Sequence, residues 1–156
     1  MTALSFPYAK SRIRPSAAFP GVTEKLTPVV PVTLLTGNRS ALVYSVVDSG
    51  ADYTVFSEEV ATELLGLDVR SGIATSFCGT TGDMQAAFCH LISLSIGDAR
   101  NGVSYMTTVA FAPLPVDTAG LLGQLGFFDH FAVTLDRRQD RITLRWNSPA
   151  RARQVE

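Results

Sequence analysis

Short apolar runs separated by turn residues dominate the chain from residue 28 onwards. The run PVVPVTLL (28–35) is followed by the turn residues GNRS (37–40) and by a second run, ALVYSVV (41–47). Branched residues on both sides of a polar turn predict a β-hairpin. The following ADYTVF (51–56) is again strand-like.

The second half of the chain repeats this pattern of strands and turns. Residues 73–96, IATSFCGTTGDMQAAFCHLISLSI, predict a long hairpin whose small and polar tip is Gly79 to Asp83. The turn GDARNG (97–102) leads into a strand, VSYMTTVAF (103–111), and AVTLDRRQDRITLRW (132–146) alternates like a hairpin.

Helices are few in this pattern. Ser57, followed by two glutamates, is a favourable helix start, and Gly66 is a plausible C-terminal cap. GLLGQLGFFDHF (120–131) predicts a strand that enters a second short helix. Many short strands with one or two short helices indicate a mainly β domain, which argues against a parallel-sheet nucleotide-binding fold.

The domain organisation follows from length and composition. A chain of 156 residues, of which 46% are hydrophobic and 17% charged, fits one globular domain. Prolines and the absence of a sustained period predict an irregular N-terminal arm over residues 1–25. The domain then occupies 26–148, and 149–156 form a C-terminal tail.

Charge and cysteine content narrow the functional classes. The formal net charge is -1, so no general field favours nucleic acid or an anionic membrane. Two cysteines are fewer than a small secreted scaffold normally carries. The first twenty residues lack the apolar core of a signal peptide, and no run reaches membrane-spanning length. We therefore expect a cytoplasmic protein without a membrane segment.

The strongest chemical signal is SVVDSGADYTVF (45–56). An apolar strand ends at Asp48, where the strand can fix the carboxylate and its apolar neighbours limit solvent. Ser49 can bond the backbone in a tight turn, and Gly50 allows a close approach. Asp before Ser-Gly also occurs in ordinary hairpin turns, so the motif alone does not decide between a turn and a catalytic acid.

The motif resembles the active-site segment of retropepsin-like aspartic proteases, which is Asp-Thr/Ser-Gly-Ala after an apolar strand. Two further elements agree in order and spacing. Leu121, Leu122 and Gly123 resemble the two apolar residues and glycine that precede the family's C-terminal helix, and the long hairpin resembles its substrate-covering flap. The resemblance, to single-domain members of bacterial type, spans residues 28 to 146. It implies a closed, barrel-like acid protease fold with a flap hairpin.

The resemblance also assigns roles to particular residues. Asp48 would be the catalytic acid, supported by Ser49 and Gly50. Substrate would contact the residues after this motif, the hairpin tip and the second apolar segment: Ala51, Asp52, Cys78, Gly79, Thr80, Thr81, Gly82 and Leu121. Retroviral members carry Arg at the position of Gln124, where it pairs with the acid that matches Asp52. The support of Asp52 by such an ion pair is therefore in doubt.

The chemistry requires two carboxylates, and the chain has one convincing site. Asp117, in Asp-Thr-Ala-Gly, has an inserted Ala and is interpreted as a loop residue. A homodimer would bring Asp48 against its own copy, and two carboxylates so close share one proton. The prediction is an aspartic endopeptidase that acts on peptides or proteins, without metal or cofactor. Cleavage between hydrophobic residues is expected from apolar candidates at Val55, Phe77, Met84 and Leu121.

Other functions fit the sequence less well. A serine hydrolase is disfavoured because Ser49 lacks the Gly-x-Ser-x-Gly elbow. Zinc ligation is disfavoured because the spacing of Cys78, Cys89, His90 and His130 matches no recognised site. The alternative that stays open is a non-catalytic module of the same fold, used for dimerisation or peptide binding.

Overall fold

Twelve β-strands account for most of the described chain. The structure is a computed structural model that describes residues 3–79 and 81–147. The strands are β1 Ala3–Phe6, β2 Ala9–Arg12, β3 Glu24–Thr27, β4 Val29–Thr36, β5 Arg39–Val47, β6 Val55–Ser57, β7 Ile73–Cys78, β8 Met84–Gly97, β9 Gly102–Ala112, β10 Gly120–Leu122, β11 Phe131–Asp136 and β12 Arg141–Trp146. The prediction of a mainly β protein is confirmed.

Six of these strands close into a barrel. Their order is β4, β5, β10, β6, β9 and β8, and the pairing of β8 with β4 completes the ring. The short strand β10 lies between β5, to which it is parallel, and β6, to which it is antiparallel. Alternate residues of β4 and β5 are buried because successive side chains of a strand point to opposite faces. The barrel therefore encloses the main apolar core.

The long hairpin predicted over 73–96 is confirmed. Strands β7 and β8 pair from Ile73 opposite Cys89 to Cys78 opposite Met84. Its tip is closed by hydrogen bonds from the Gly79 N–H to the Asp83 carbonyl and from the Gly82 N–H to the Gly79 carbonyl, both 3.0 Å long. Strand β8 is long enough to belong to this hairpin and, through its later residues, to the barrel.

One of the two predicted helices is present, but it does not start at Ser57, which belongs to β6. A π-helix spans Val60–Leu64 and ends at Leu65, and Gly66 follows at a φ of 61°, as a C-terminal cap requires. A 3-10 helix at Val69–Ser71 was not predicted. None of the helical segments within residues 3–79 and 81–147 is long and apolar enough to cross a membrane.

The prediction of a second helix after β10 is wrong. Residues 124–130 form turns around the bridge residue Leu125 instead of a regular helix. The Phe128 and Asp129 N–H groups donate to carbonyls five residues back, at Gly123 and Gln124. Gly126 has a φ of 94°, which L-residues rarely adopt and which does not belong to a right-handed helix.

The prediction of an irregular N-terminal arm over residues 1–25 is also wrong for much of that range. Strand β1 pairs with β12, next to the β11–β12 hairpin, and β2 pairs with β3. Leu4, Phe6 and Tyr8 alternate with exposed residues and are buried in the main core. The sequence does not predict this strand because the period-two pattern in LSFPY is too short to stand out beside the prolines. The proposed tail, 149–156, lies outside the described residues.

Tyr105 connects β9 to the turns after β10. Its side chain is 8% exposed, and its hydroxyl donates to the Gly126 carbonyl at 3.0 Å. Burial, and then the negative charge of Asp129, raise the pKa of Tyr105. The folded protein therefore holds this proton more strongly than the unfolded chain does. Its contribution to stability is complete below the ordinary tyrosine pKa of about 10 and is lost as the pH rises above it.

Replacing this hydroxyl tests its role. Tyr105→Phe leaves the Gly126 carbonyl without its donor, and we expect the free energy of unfolding to fall by about 1–3 kcal/mol at pH 7. The difference from the unmodified protein should narrow above about pH 10, because unfolding releases the position-105 hydroxyl to ionise in the unmodified protein and the variant has no hydroxyl there. Chemical denaturation from pH 7 to about pH 11 measures both effects. A difference that stays constant over that range would contradict the assignment.

Candidate active site

Asp48 occupies the position directly after β5, next to the buried Val47. Its N–H donates to the Leu122 carbonyl at 3.0 Å, which joins it to β10. Its carboxylate oxygen Oδ1 accepts a hydrogen bond of 3.0 Å from the Gly50 N–H. The side chain is half-buried, so the carboxylate is fixed by the turn but still reaches the surface. This is the geometry expected of a carboxylate that acts on a bound substrate.

Gly50 is tightly packed against this carboxylate. A Cβ atom at Gly50 would lie 3.3 Å from the Asp48 Oδ1, which is closer than most real Cβ contacts. The absence of a side chain therefore lets the turn bring its N–H to the carboxylate. Ala51 completes the turn by donating its N–H to the Asp48 carbonyl at 3.2 Å.

The loop after Asp48 is bound along its length to the segment after β10. The Gln124 N–H donates to the Ala51 carbonyl at 2.8 Å, and the Leu125 N–H donates to the Asp52 carbonyl at 3.0 Å. In return, the Thr54 N–H donates to the Leu125 carbonyl at 2.8 Å. These bonds make the two loops one unit, which explains how the motif at 48–50 keeps its shape without regular structure.

Gly123 is the point of closest approach between the two loops. Its N–H donates to the Thr54 hydroxyl oxygen at 3.2 Å. A Cβ atom at this position would fall inside the contact distance of the Tyr53 carbonyl and 2.7 Å from the Ala51 carbonyl oxygen. Glycine is thus required here by packing. Backbone conformation does not require it, because its φ is not positive. The Leu-Leu-Gly motif provides the surface against which the Asp48 loop is held.

The structure places the predicted site residues in two groups. Asp48, Ser49, Gly50, Ala51 and Asp52 lie on one loop, with Leu121 adjacent on β10, where it pairs with the residue two before Asp48. Cys78, Gly79, Thr81 and Gly82 lie at the exposed end of the hairpin. Thr80 lies outside the described residues.

A family profile described as aspartyl protease matches residues 30–124, more than half of the chain. The chain belongs to the aspartyl protease family. A retropepsin-like aspartic protease from Rickettsia conorii has the same fold, with a TM-score of 0.51 and 16% identity over 87% of this chain and 98% of that one. The closed barrel with its hairpin is therefore the retropepsin-like fold.

Two other solved structures are similar at a lower level. EIAV protease gives a TM-score of 0.45 and 18% identity over 63% of this chain and 82% of its own. The retroviral protease-like domain of Ddi1 from Leishmania major gives 0.43 and 15%, over 80% and 98% respectively. No curated protein matches the chain significantly.

The chain has a second, smaller apolar cluster beside the Asp48 loop. Its buried members come from β6, β8 and β9, and partly buried side chains from the loop and the hairpin pack against it. The buried members are Val55, Ala87, Ala110 and Ala112, and the partly buried ones are Tyr53, Phe77, Cys89 and Leu114. The apolar candidates Val55 and Phe77 meet in this cluster. Met84 does not, since it is 68% exposed at the hairpin end.

Sequence reasoning missed Tyr53 and Leu114 as members of this cluster. Tyr53 follows the motif directly and pairs with Leu125 in an isolated bridge, and Leu114 lies in the loop after β9. No local pattern identifies them, because their neighbours come from strands far away in the chain. Strand β9 ends in four consecutive buried residues, 109–112, so no alternation identifies Ala110 and Ala112 either.

The histidines and cysteines of this chain are dispersed in the structure. His90 bonds the Val69 carbonyl through Nε2 at 2.8 Å, and His130 stacks on Trp146 at 5.5 Å between ring centroids. Burial raises the pKa of the Cys89 thiol. Among the described residues, no three His, Cys, Asp or Glu side chains lie together as metal ligands would.

Asp117 lies in the loop between β9 and β10, as the sequence interpretation has it. The residue is exposed and has a φ of 70°, a left-handed conformation that Asp and Asn tolerate better than most residues. Its loop shares no hydrogen-bonded turn with the Asp48 loop in the part of the chain that the structure describes.

The hairpin tip should be the part of the domain that opens most easily. Gly79 and residues 81–83, the part of the tip that the structure describes, are exposed and belong to neither apolar cluster. Local opening is cheap where little apolar surface is buried. We expect amide hydrogens at residues 79–83 to exchange at least about a hundred times faster than those in the centre of β5. Hydrogen exchange followed by mass spectrometry measures this, and equal protection of the two segments would contradict it.

Proposed function

We propose that the chain is an aspartic endopeptidase whose active form is a homodimer, with one Asp48 from each subunit. The observation that carries this proposal is the position of Asp48. Its carboxylate lies at the end of a barrel strand and accepts from the Gly50 N–H, and the following loop is bonded to the segment after β10. Membership of the aspartyl protease family supports the same reaction.

Homodimerisation supplies the second carboxylate. Ser49 and Gly50 are exposed at the outer end of the loop, so a two-fold axis beside them would bring the two Asp48 side chains together. In this arrangement the Ser49 hydroxyl is available to bond the partner loop. Asp117 is the other candidate, but its position in a separate loop argues for two copies of Asp48.

The two carboxylates would share one proton. The ionised member removes a proton from a water molecule while the protonated member donates its proton to the carbonyl oxygen of the scissile bond. The new C–O bond gives a neutral tetrahedral diol. When the C–N bond breaks, the leaving amine takes a proton from one carboxyl group, and a diol hydroxyl returns a proton to the other. The pair ends with one proton, as it began.

Substrate would lie in extended form between this loop and the hairpin. Ala51 and Asp52 would contact its backbone, and the tip residues Cys78 to Gly82 would cover it. The apolar cluster around Val55 and Phe77, with the half-buried Leu121, supports a preference for hydrophobic residues on either side of the cleaved bond.

The proposed location is the cytoplasm. The domain would extend beyond the predicted start at residue 26, because β1 pairs with β12 and buries Leu4 and Phe6 in the main core. Both cysteines are unpaired in the structure, with Cys78 exposed and Cys89 half-buried. An exposed free thiol supports a reducing compartment.

A peptide library tests the proposed function. The purified chain should cleave peptides between hydrophobic residues, best in acidic to weakly acidic solution, with or without a chelator. Mass spectrometry of the products identifies the cleaved bonds. Peptide binding without cleavage at any pH would favour the non-catalytic module. Activity that rises steadily to about pH 9 and requires added metal would contradict the aspartic mechanism.

A further inference from the structure

Gln124 is bonded to the active-site loop by both its backbone and its side chain. Its amide nitrogen Nε2 donates to the Ser49 carbonyl at 2.7 Å, although the two residues are 75 positions apart. Its backbone N–H donates to the Ala51 carbonyl at 2.8 Å, and its own carbonyl accepts from the Asp129 N–H at 3.0 Å. Gln124 is therefore fixed by the turn that contains Asp129, and it in turn bonds the active-site loop at Ser49 and Ala51.

The Ser49 carbonyl belongs to the same peptide group as the Gly50 N–H. That N–H is the donor to the Asp48 carboxylate, at 3.0 Å. Because a peptide group is planar and this one is trans, its C=O and N–H point in opposite directions. Gln124 thus bonds the C=O of the planar Ser49–Gly50 peptide group, and the Asp48 carboxylate bonds its N–H. A donor at the carbonyl end also polarises the N–H end, which strengthens its bond to the carboxylate.

We propose that Gln124 is a positioning residue for Asp48, acting through the Ser49–Gly50 peptide group. The proposal rests on the proposed function, since it concerns the same carboxylate. The bond requires the NH₂ group of the amide, because a carbonyl oxygen can only accept. A neutral amide stands where retroviral members carry Arg, so in this chain the side chain at 124 bonds the backbone of the loop without carrying a charge.

The Gln124→Glu variant tests this role because it changes one donor with almost no change in shape. An ionised Glu cannot donate and repels the Ser49 carbonyl oxygen, whereas a protonated Glu can donate. We expect kcat to fall at least about tenfold above the ordinary Glu pKa of about 4.3 and to recover towards the original value below it. KM should change little, because Gln124 is not among the residues proposed to contact substrate. Gln124→Met, which has no donor at any pH, should lower kcat at every pH.

Gln139→Glu is the matched control. Gln139 is exposed in the turn between β11 and β12, so the same change of charge there should leave the pH profile unaltered. A Gln124→Glu profile that superimposes on the control would overturn the inference while the protease function stands.

A second readout does not depend on activity. Exchange of the Gly50 amide hydrogen, followed by NMR, should be at least about ten times faster in Gln124→Met than in the control, because its peptide group loses one of its two anchors. Unchanged exchange at Gly50 would overturn the positioning role even if the chain cleaves no peptide. Faster exchange in a chain without peptidase activity would support it and would place the failure in the proposed function.

Discussion

Asp48→Asn is expected to lower kcat/KM for peptide cleavage by about a thousandfold or more, because loss of an essential acid–base group typically costs 10²–10⁴ and the second carboxylate of the pair is lost with it. The fold should survive. Asn keeps the shape of Asp and an oxygen that can accept from the Gly50 N–H, as the carboxylate does now. Steady-state kinetics measures the loss, and thermal unfolding monitors the fold.

Asp117→Asn is the matched control for this variant. The chemical change is identical, and Asn tolerates the left-handed conformation that the residue adopts, with a φ of 70°. Its activity should stay within about twofold of the original, as is usual for exposed positions away from a site. Loss of activity in Asp117→Asn together with retained activity in Asp48→Asn would exchange the roles of the two residues.

Gly123→Ala is expected to destabilise the protein by about 3 kcal/mol or more, at the upper end of the cost of overpacking. The added methyl group meets backbone atoms of Tyr53 and Ala51, which cannot rotate away as a side chain could. Relief would require the two loops to separate, with loss of the bonds that hold Asp48. Against a typical total stability of about 5–15 kcal/mol, this is a large fraction. Activity should therefore fall even at temperatures where the variant is still folded.

Gly21→Ala provides the comparison. A Cβ atom at Gly21 would have no neighbour within 4 Å, so its free energy of unfolding should change by less than about 1 kcal/mol. Urea unfolding of both variants measures the two free energies. Equal stability of Gly123→Ala and Gly21→Ala would show that the loops are not packed as described.

The features that the sequence predicted well are those with a local signal. The strands and the hairpin at 73–96 were predicted from apolar runs and turn residues, and the barrel from the family resemblance. The resemblance also assigns the site at 48–50, whose role stays a prediction. The missed strand β1 has the same kind of signal, but only Leu4 and Phe6, with Tyr8 just beyond the strand, carry it. Three buried residues around a proline are too few to separate a strand from an irregular arm.

The features that the sequence did not predict depend on contacts between distant segments. Residues 124–130 include Gly126, whose φ is 94°. This glycine lies close to Thr54 and accepts the hydrogen bond of the Tyr105 hydroxyl, and both partners are far away in the chain. The bond from Gln124 to Ser49 spans 75 positions and has no pattern in either segment. Sequence reasoning identified Gln124 only as a departure from the family's Arg, and its contact required the structure.

The central claim, that each active site is built from two copies of Asp48, is tested by mixing subunits. Unmodified chains are combined with a tenfold excess of Asp48→Asn chains, and exchange is verified by native mass spectrometry of chains with different isotope labels. Random pairing leaves about one unmodified chain in ten with an unmodified partner. Activity per unmodified chain should therefore fall to about a tenth. Activity per unmodified chain that is unchanged after complete exchange would contradict the account, because each chain would then carry a complete site.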